Sequence, residues 1–256
     1  MKPWSKILAG GVLLCSLGAR TQTVDEIIAK SLTARGGIGK IKAVQSQRLT
    51  GRISFGPDAE GPFTVEMKRP GKIREEVTVG GITRIRTSDG TSGWSVSGAE
   101  EARPLSADEL KNLAGSADID GPLLDYQAKG NHVELVDKEP VEGKDAYKLL
   151  VTERNGRVRY DYIDCASYLG VKWEGKIVAN GKELEVESVF HDYRAVNGLM
   201  YAFAIDSDTV APQTNKSSSS RRLKSIPSRT TRASASLHRC LGARNLRSRI
   251  EYQLRS

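Results

Sequence analysis

From Ser46 onward, polar and apolar positions alternate with period two. R-L-T-G-R-I-S-F, F-T-V-E-M-K-R-P, K-I-R-E-E-V-T-V, I-T-R-I-R-T-S and W-S-V-S each place a charged residue next to an apolar one, the signature of strands with one buried face. They are separated by G-P-D-A-E-G-P, P-G, G-G and D-G-T-S-G. Such turns are too short for a parallel crossover, so the pattern predicts an antiparallel meander. A second block follows: H-V-E-L-V-D-K-E-P-V-E-G, A-Y-K-L-L-V-T-E-R-N-G, V-R-Y-D-Y-I-D, G-V-K-W-E-G-K-I-V-A, K-E-L-E-V-E-S-V-F-H-D-Y and M-Y-A-F-A-I-D-S. Its hairpin turns are Asn155-Gly156 and Asn180 to Lys182. Together the blocks make about eleven strands.

Two stretches break the alternation. Thr23 to Glu26, T-V-D-E, is a capping box, and Val24, Ile27, Ile28 and Leu32 follow at helical spacing until Gly36-Gly37. A short second turn carries Ile38 and Ile41. Between the strand blocks, S-A-D-E-L-K-N-L reads as a capped helix and D-G-P-L-L-D-Y as the start of another. The expected fold is therefore mainly β (α+β): a strongly curved antiparallel sheet with two or three helices as a lid. A sheet this long must curl to cover its apolar face.

The candidate lining of that face is Leu49, Ile53, Phe55, Phe63, Val65, Met67, Ile73, Val77, Ile85, Trp94, Leu149, Val151, Tyr160, Tyr162 and Trp173. These residues either fill a core or line an apolar cavity for a greasy ligand. Periodicity does not separate the two.

Charge divides the chain unevenly. The whole is +8, yet residues 216–256 hold eleven Lys or Arg against the single acid Glu251, leaving residues 1–215 at −2. The body is thus no polyanion binder by composition. The basic segment has no aromatic before Tyr252 on which bases could stack, and no nucleic acid is expected as a partner. Residues 215–256 read as a disordered basic tail. It is the product of a shifted reading frame that cost the sheet a strand after Asp208, a disordered functional arm, or, third in order, a folded extension. Codons for Ser218 to Pro227 can be chosen so that the neighbouring frame spells I-V-F-E-K-T-E-V-N-P, which alternates like a strand. At the other end Lys2 and Lys6 precede an apolar run from Ile7 to Leu17 and small residues at Gly18 and Ala19, a secretory signal over residues 1–19. Lipid anchorage through Cys15 is not expected, because Leu14 precedes it where a small residue would be needed.

Catalytic chemistry is sparse. The body has one cysteine, Cys165, read as a structural thiol, and His132, His191 and His238 stand far apart. Neither a metal site nor a Ser/His/Asp constellation is indicated, and no cofactor is expected. Asp118 and Asp120 form a possible acidic pair, read as a solvated loop. Glu75-Glu76 and Glu183 to Glu187 read as polar strand faces.

T-V-D-E-I-I-A-K, F-T-V-E-M-K-R-P-G-K-I-R, S-D-G-T-S-G-W-S-V at Ser88 to Val96 and D-Y-R-A-V-N-G-L-M-Y-A-F-A-I at Asp192 to Ile205 resemble, in order and spacing, the outer-membrane lipoprotein-sorting proteins of the LolA and LolB superfamily. The resemblance covers residues 22–214. It implies a half-barrel with a helical lid and an apolar interior for lipid acyl chains, with no catalytic residue and no metal. It also implies a periplasmic, monomeric carrier of lipoproteins or a similar hydrophobic ligand, served by membrane-associated donor or acceptor proteins. The carriers lock their lid with an arginine, and no arginine of this chain is assigned to that role. The competing readings are an envelope enzyme acting on a hydrophobic ester in the same cavity, and a basic-tailed binder of nucleic acid or membrane surface.

Overall fold

The computed structural model describes residues 22–56, 58–179, 182–210 and 246–253. The signal segment and Cys15 lie outside the described residues, as do the turn at Asn180-Gly181 and the Ser218–Pro227 stretch.

Every alternating segment is a strand. In chain order, β1 (Ser46–Ser54), β2 (Glu60–Lys68), β3 (Lys72–Val79), β4 (Ile82–Ser88) and β5 (Gly93–Ser97) form the first wing, with the two-residue β6 (Arg103–Pro104) at its edge. The second wing is β7 (His132–Val141), β8 (Lys144–Thr152), β9 (Val158–Asp164), β10 (Gly170–Ala179), β11 (Lys182–Val196) and β12 (Leu199–Val210). A further strand, β13 (Leu246–Gln253), comes from the segment read as disordered. It pairs antiparallel with β1 on one side and β12 on the other, joining the wings into one sheet of order β6-β5-β4-β3-β2-β1-β13-β12-β11-β10-β9-β8-β7.

The expectation that the sheet lacks a strand beside β12 is thereby corrected. Leu246–Gln253 is strand despite its basic composition, because its charges alternate with residues the concave side accepts. Ile250 packs against the cluster of Ile53, Phe63 and Val79, while Arg249 turns outward to Asp206 at 3.8 Å.

The helices are α1 (Val24–Ala34), α2 (Ile38–Ala43) and α3 (Ala107–Ser116). α1 and α3 both start in capping boxes, Thr23 with Glu26 and Ser106 with Glu109. α1 ends where Gly36 and Gly37 take φ of 120° and 94°, the left-handed side that favours glycine. A Cβ at Gly36 would lie 2.3 Å from the Gly198 carbonyl oxygen, so the close approach of this turn to the β11–β12 hairpin also requires glycine. D-G-P-L-L-D-Y does not begin a helix. Asp125 has φ 51°, and the turns of residues 122–130 end at Gly130. Leu123 and Leu124 are instead buried with α1, Val133, Leu149 and Val151.

The sheet is open, since β6 and β7 are not paired, and it is strongly curved. α3 touches β3 and β4 on one wing and β10 on the other. β3 and β10 are six strand spacings apart, about 29 Å in a flat sheet at ~4.8 Å per strand. A helix about 10 Å across reaches both only if the sheet curls around it. α3 therefore lies over the concave side as a lid.

Candidate functional site: the concave face and its lid

Strand register decides which side chains look inward. Successive side chains alternate between faces, and Met67 and Ile73, which pack beneath Leu113 and Ala117 at the α3 end, mark the concave side. Leu49, Ile53, Phe55, Phe63, Val65 and Val77 share it. The same face continues across β13 and β12 through Ile53↔Ile250↔Ile205↔Phe190. Further along, the row Ser207, Ser188, Trp173, Asp161, Leu149 carries it into the second wing. Leu149 and Val151 are wholly buried against α1, so they belong to the core that seats the first helix. Trp173 is half-buried and stacks on the Arg159 guanidinium at 5.6 Å.

Four of the expected lining residues face the other way. Ile85 stands opposite Glu76 and Val96, and Trp94 lies in the row Arg48, Glu66, Arg74, Thr87 on the convex side, 52 % exposed. Tyr160 and Tyr162 also point outward, packing with Val141, Ala146, Val171 and Val189 in a small convex cluster. There Lys148 and Lys172 lie over the Tyr162 ring at 5.4 and 4.8 Å, and its hydroxyl donates to Glu174 at 3.0 Å. Burial, together with that carboxylate, pushes the phenol up to about 12.

Two partly open clefts lie on the concave face. One of about 200 Å³ lies between α1, Pro122 and the second wing, walled by Leu32, Phe190, Tyr193 and the paired Arg159 and Asp161. The other, about 410 Å³, lies beside α3, with Trp173, Ile177 and Arg157 toward the second wing and Arg84 and Arg86 of β4 opposite them. Its volume falls within the roughly 300–1,000 Å³ of small-molecule sites. The interior is therefore amphipathic, apolar along β1–β3 and polar where α3 meets the second wing.

The lid is tied down by ionic contacts. Arg69 donates from Nη1 and Nη2 to both carboxylate oxygens of Asp120, at 2.7 and 2.6 Å, and from Nε and Nη2 to the carbonyls of Val44 and Ile41. Arg35 donates to the Asp120 carbonyl at 3.0 Å, and Lys129 reaches Asp118 and the Gly121 carbonyl, each at 2.7 Å. The segment after α3 is thus clasped to α1, α2 and the β2–β3 turn. Hydrogen bonding to Arg69 holds the Asp120 carboxyl below the ordinary carboxylate range against the opposing effect of burial. At the other end of α3, Glu109 closes its cap and accepts from Arg103 at 2.7 and 2.9 Å, which holds it at about 2. Asn112 fastens the middle of the helix by donating to the Val178 carbonyl at 2.7 Å.

Sequence reading missed this clasp. Asp118 and Asp120 are each ion-paired, Asp118 at the exposed edge of the loop, and the arginine that holds Asp120 is Arg69 of the K-R-P-G-K-I-R stretch. The available signal was an acid-rich loop following a helix, opposite an arginine at a strand end. Among the described residues no group of three or more His, Cys, Asp or Glu could hold a metal ion, and no helix is long and apolar enough to cross a membrane. Cys165 is a free, half-buried thiol.

The same architecture occurs in solved structures. A DUF1329 family protein from Desulfovibrio piger matches with a TM-score of 0.51 at 12 % identity, over 91 % of this chain and 92 % of that one. A LolA superfamily protein from Nitrosomonas europaea matches with a TM-score of 0.50 at 15 % identity, over 92 % of this chain and 95 % of the other. No protein-family model and no curated protein matches the chain. At these identities the likeness is one of fold, and the fold is LolA/LolB-like.

Proposed function

We propose that this LolA-like half-barrel is a periplasmic binding protein that holds the acyl chains of lipoproteins, or of a similar hydrophobic ligand, for delivery to the outer membrane. The observation that carries the reading is the largely apolar concave face of β1–β3, interrupted by Glu75, which leads into a 410 Å³ space beside a clasped helix. Each methylene removed from water there contributes about 0.8 kcal/mol, so a single acyl chain supplies ample binding energy. The contacts that fasten α3 are few and mostly ionic at its ends, so the lid can open without unravelling the sheet. Opening would uncover Met67, Ile73 and Leu113, the apolar side chains nearest the helix.

An enzyme in the same cavity would need a free acidic pair. Asp118 and Asp120 are each engaged by a cation, Lys129 and Arg69, which argues against a role in acid–base chemistry. A folded, non-catalytic carrier is the simpler use of this site. Its membrane-associated donor and acceptor are sought by crosslinking in intact envelopes. The ligand is tested by organic extraction and mass spectrometry of protein purified from the periplasm. Recovery of lipid or lipoprotein near one per protein supports the reading, whereas protein that is empty and takes up no acyl probe contradicts it.

A further inference from the structure

One transverse row of the concave face runs from apolar to cationic. Phe63 pairs with Val77, and Val77 with Arg84, so an aromatic ring, an isopropyl group and a guanidinium point inward side by side. In the next row Val65, Glu75 and Arg86 do the same, but Arg86 is taken by Glu75. Arg103 is taken by Glu109. Arg84 is half-buried and has neither an ion pair nor a side-chain hydrogen bond among the described residues. Across the same space lies Arg157, 15 % exposed and salt-bridged to Glu153 at 3.3 Å. It presses so closely on α3 that a Cβ at Gly115 would come within 2.1 Å of its Nη1. Burial lowers the pKa of Arg157, an environment short of solvent for a cation. The acids along this wall that hold no cation are Glu100 and Glu101, both exposed to solvent.

Resting on the carrier reading above, we propose that the space beside α3 receives the acidic head group of the bound amphiphile, with Arg84 as its ion partner and the acyl chain lying along Val77 and Phe63. A guanidinium is a planar fork of donors that matches the two oxygens of a carboxylate or phosphate. Half out of water and unpaired, it favours a ligand that brings an anion. A neutral amphiphile would bury the same methylenes but leave Arg84 unsatisfied.

The test displaces a polarity-sensitive neutral acyl probe from the full-length protein with palmitate, hexadecyl phosphate and hexadecanol. The expected result is that one or both anions compete about tenfold better than the alcohol, the low end of what a hydrogen bond to a charged group supplies. Whichever anion is preferred separates a fatty-acid ligand from a phospholipid-like one. In Arg84→Gln the preference should vanish, the anions competing no better than hexadecanol, and Arg84→Lys should restore part of it. If wild type binds all three equally, or Arg84→Gln keeps the preference, the head-group assignment falls and the carrier reading stands. If none of the three, nor the probe, binds a protein whose circular dichroism is native, the carrier reading itself fails.

Discussion

Removing the Asp120 carboxylate tests the clasp directly. Asp120→Ala takes away two charge-assisted hydrogen bonds and leaves the Arg69 guanidinium with only the Val44 and Ile41 carbonyls. Fully buried pairs cost about 3–5 kcal/mol to break, and exposed pairs contribute about 0.2–1 kcal/mol. The two side chains keep 26 % and 14 % of their exposure, which puts the expected loss between these limits at about 2 kcal/mol. For a domain of this size that lowers Tm by about 4–8 °C. The loss should also be local. Hydrogen exchange is expected to quicken in α3 and residues 117–131 well before β8 and β9, and a double-mutant cycle with Arg69→Met should return most of the loss as coupling. A Tm within about one degree of wild type, or exchange that rises evenly over the sheet, would show that Asp120 does not hold the lid.

Acid should loosen the same lid from its other end. The folded-state value of Glu109 lies below its ordinary one, so its contribution is full above about pH 4.5 and is lost as pH falls toward about 2. Exchange in the first turn of α3 is expected to rise over that window in wild type and to be already fast and flat in Glu109→Gln. Leu113→Ala, at a side chain only 2 % exposed, should cost about 2–5 kcal/mol in denaturant unfolding; a cost near zero would mean that α3 does not seal the concave face. Deleting residues 246–256 strips the partner strand from both β1 and β12 and should cause aggregation, because two long edges are exposed at once. A truncated protein that stays monomeric and melts normally by light scattering and calorimetry would contradict the thirteen-strand sheet.

Much of the fold is legible because period two is a strong signal where one face is buried. The eleven alternating segments are all strands, and both capping boxes start helices. What the pattern hid was local. β6 has two residues, too few for any period, and β13 sits in a run of Arg and Ser whose composition outweighs the alternation of S-R-I. The site was half legible for a related reason. Ile82 and Ile85 are three apart and cannot share a face, and V-R-Y-D-Y-I-D has apolar residues of both parities. Only register shows that Ile163 goes under α1 while Tyr160 and Tyr162 go outward. The Arg69–Asp120 contact joins residues 51 apart through no periodic pattern, so it was beyond the reach of spacing.

Photocrosslinking decides whether acyl chains lie on the concave face beneath α3. A long-chain acyl ligand carrying a diazirine near its methyl end is bound to the full-length protein and irradiated, and the adducts are mapped by peptide mass spectrometry. On that placement, labelling is expected to concentrate on Ile53, Phe55, Phe63, Val65 and Val77 and to fall with excess unlabelled ligand. Adducts centred on Ile85, Trp94 or Tyr160, which face the convex side, or an absence of any competable labelling, would contradict it.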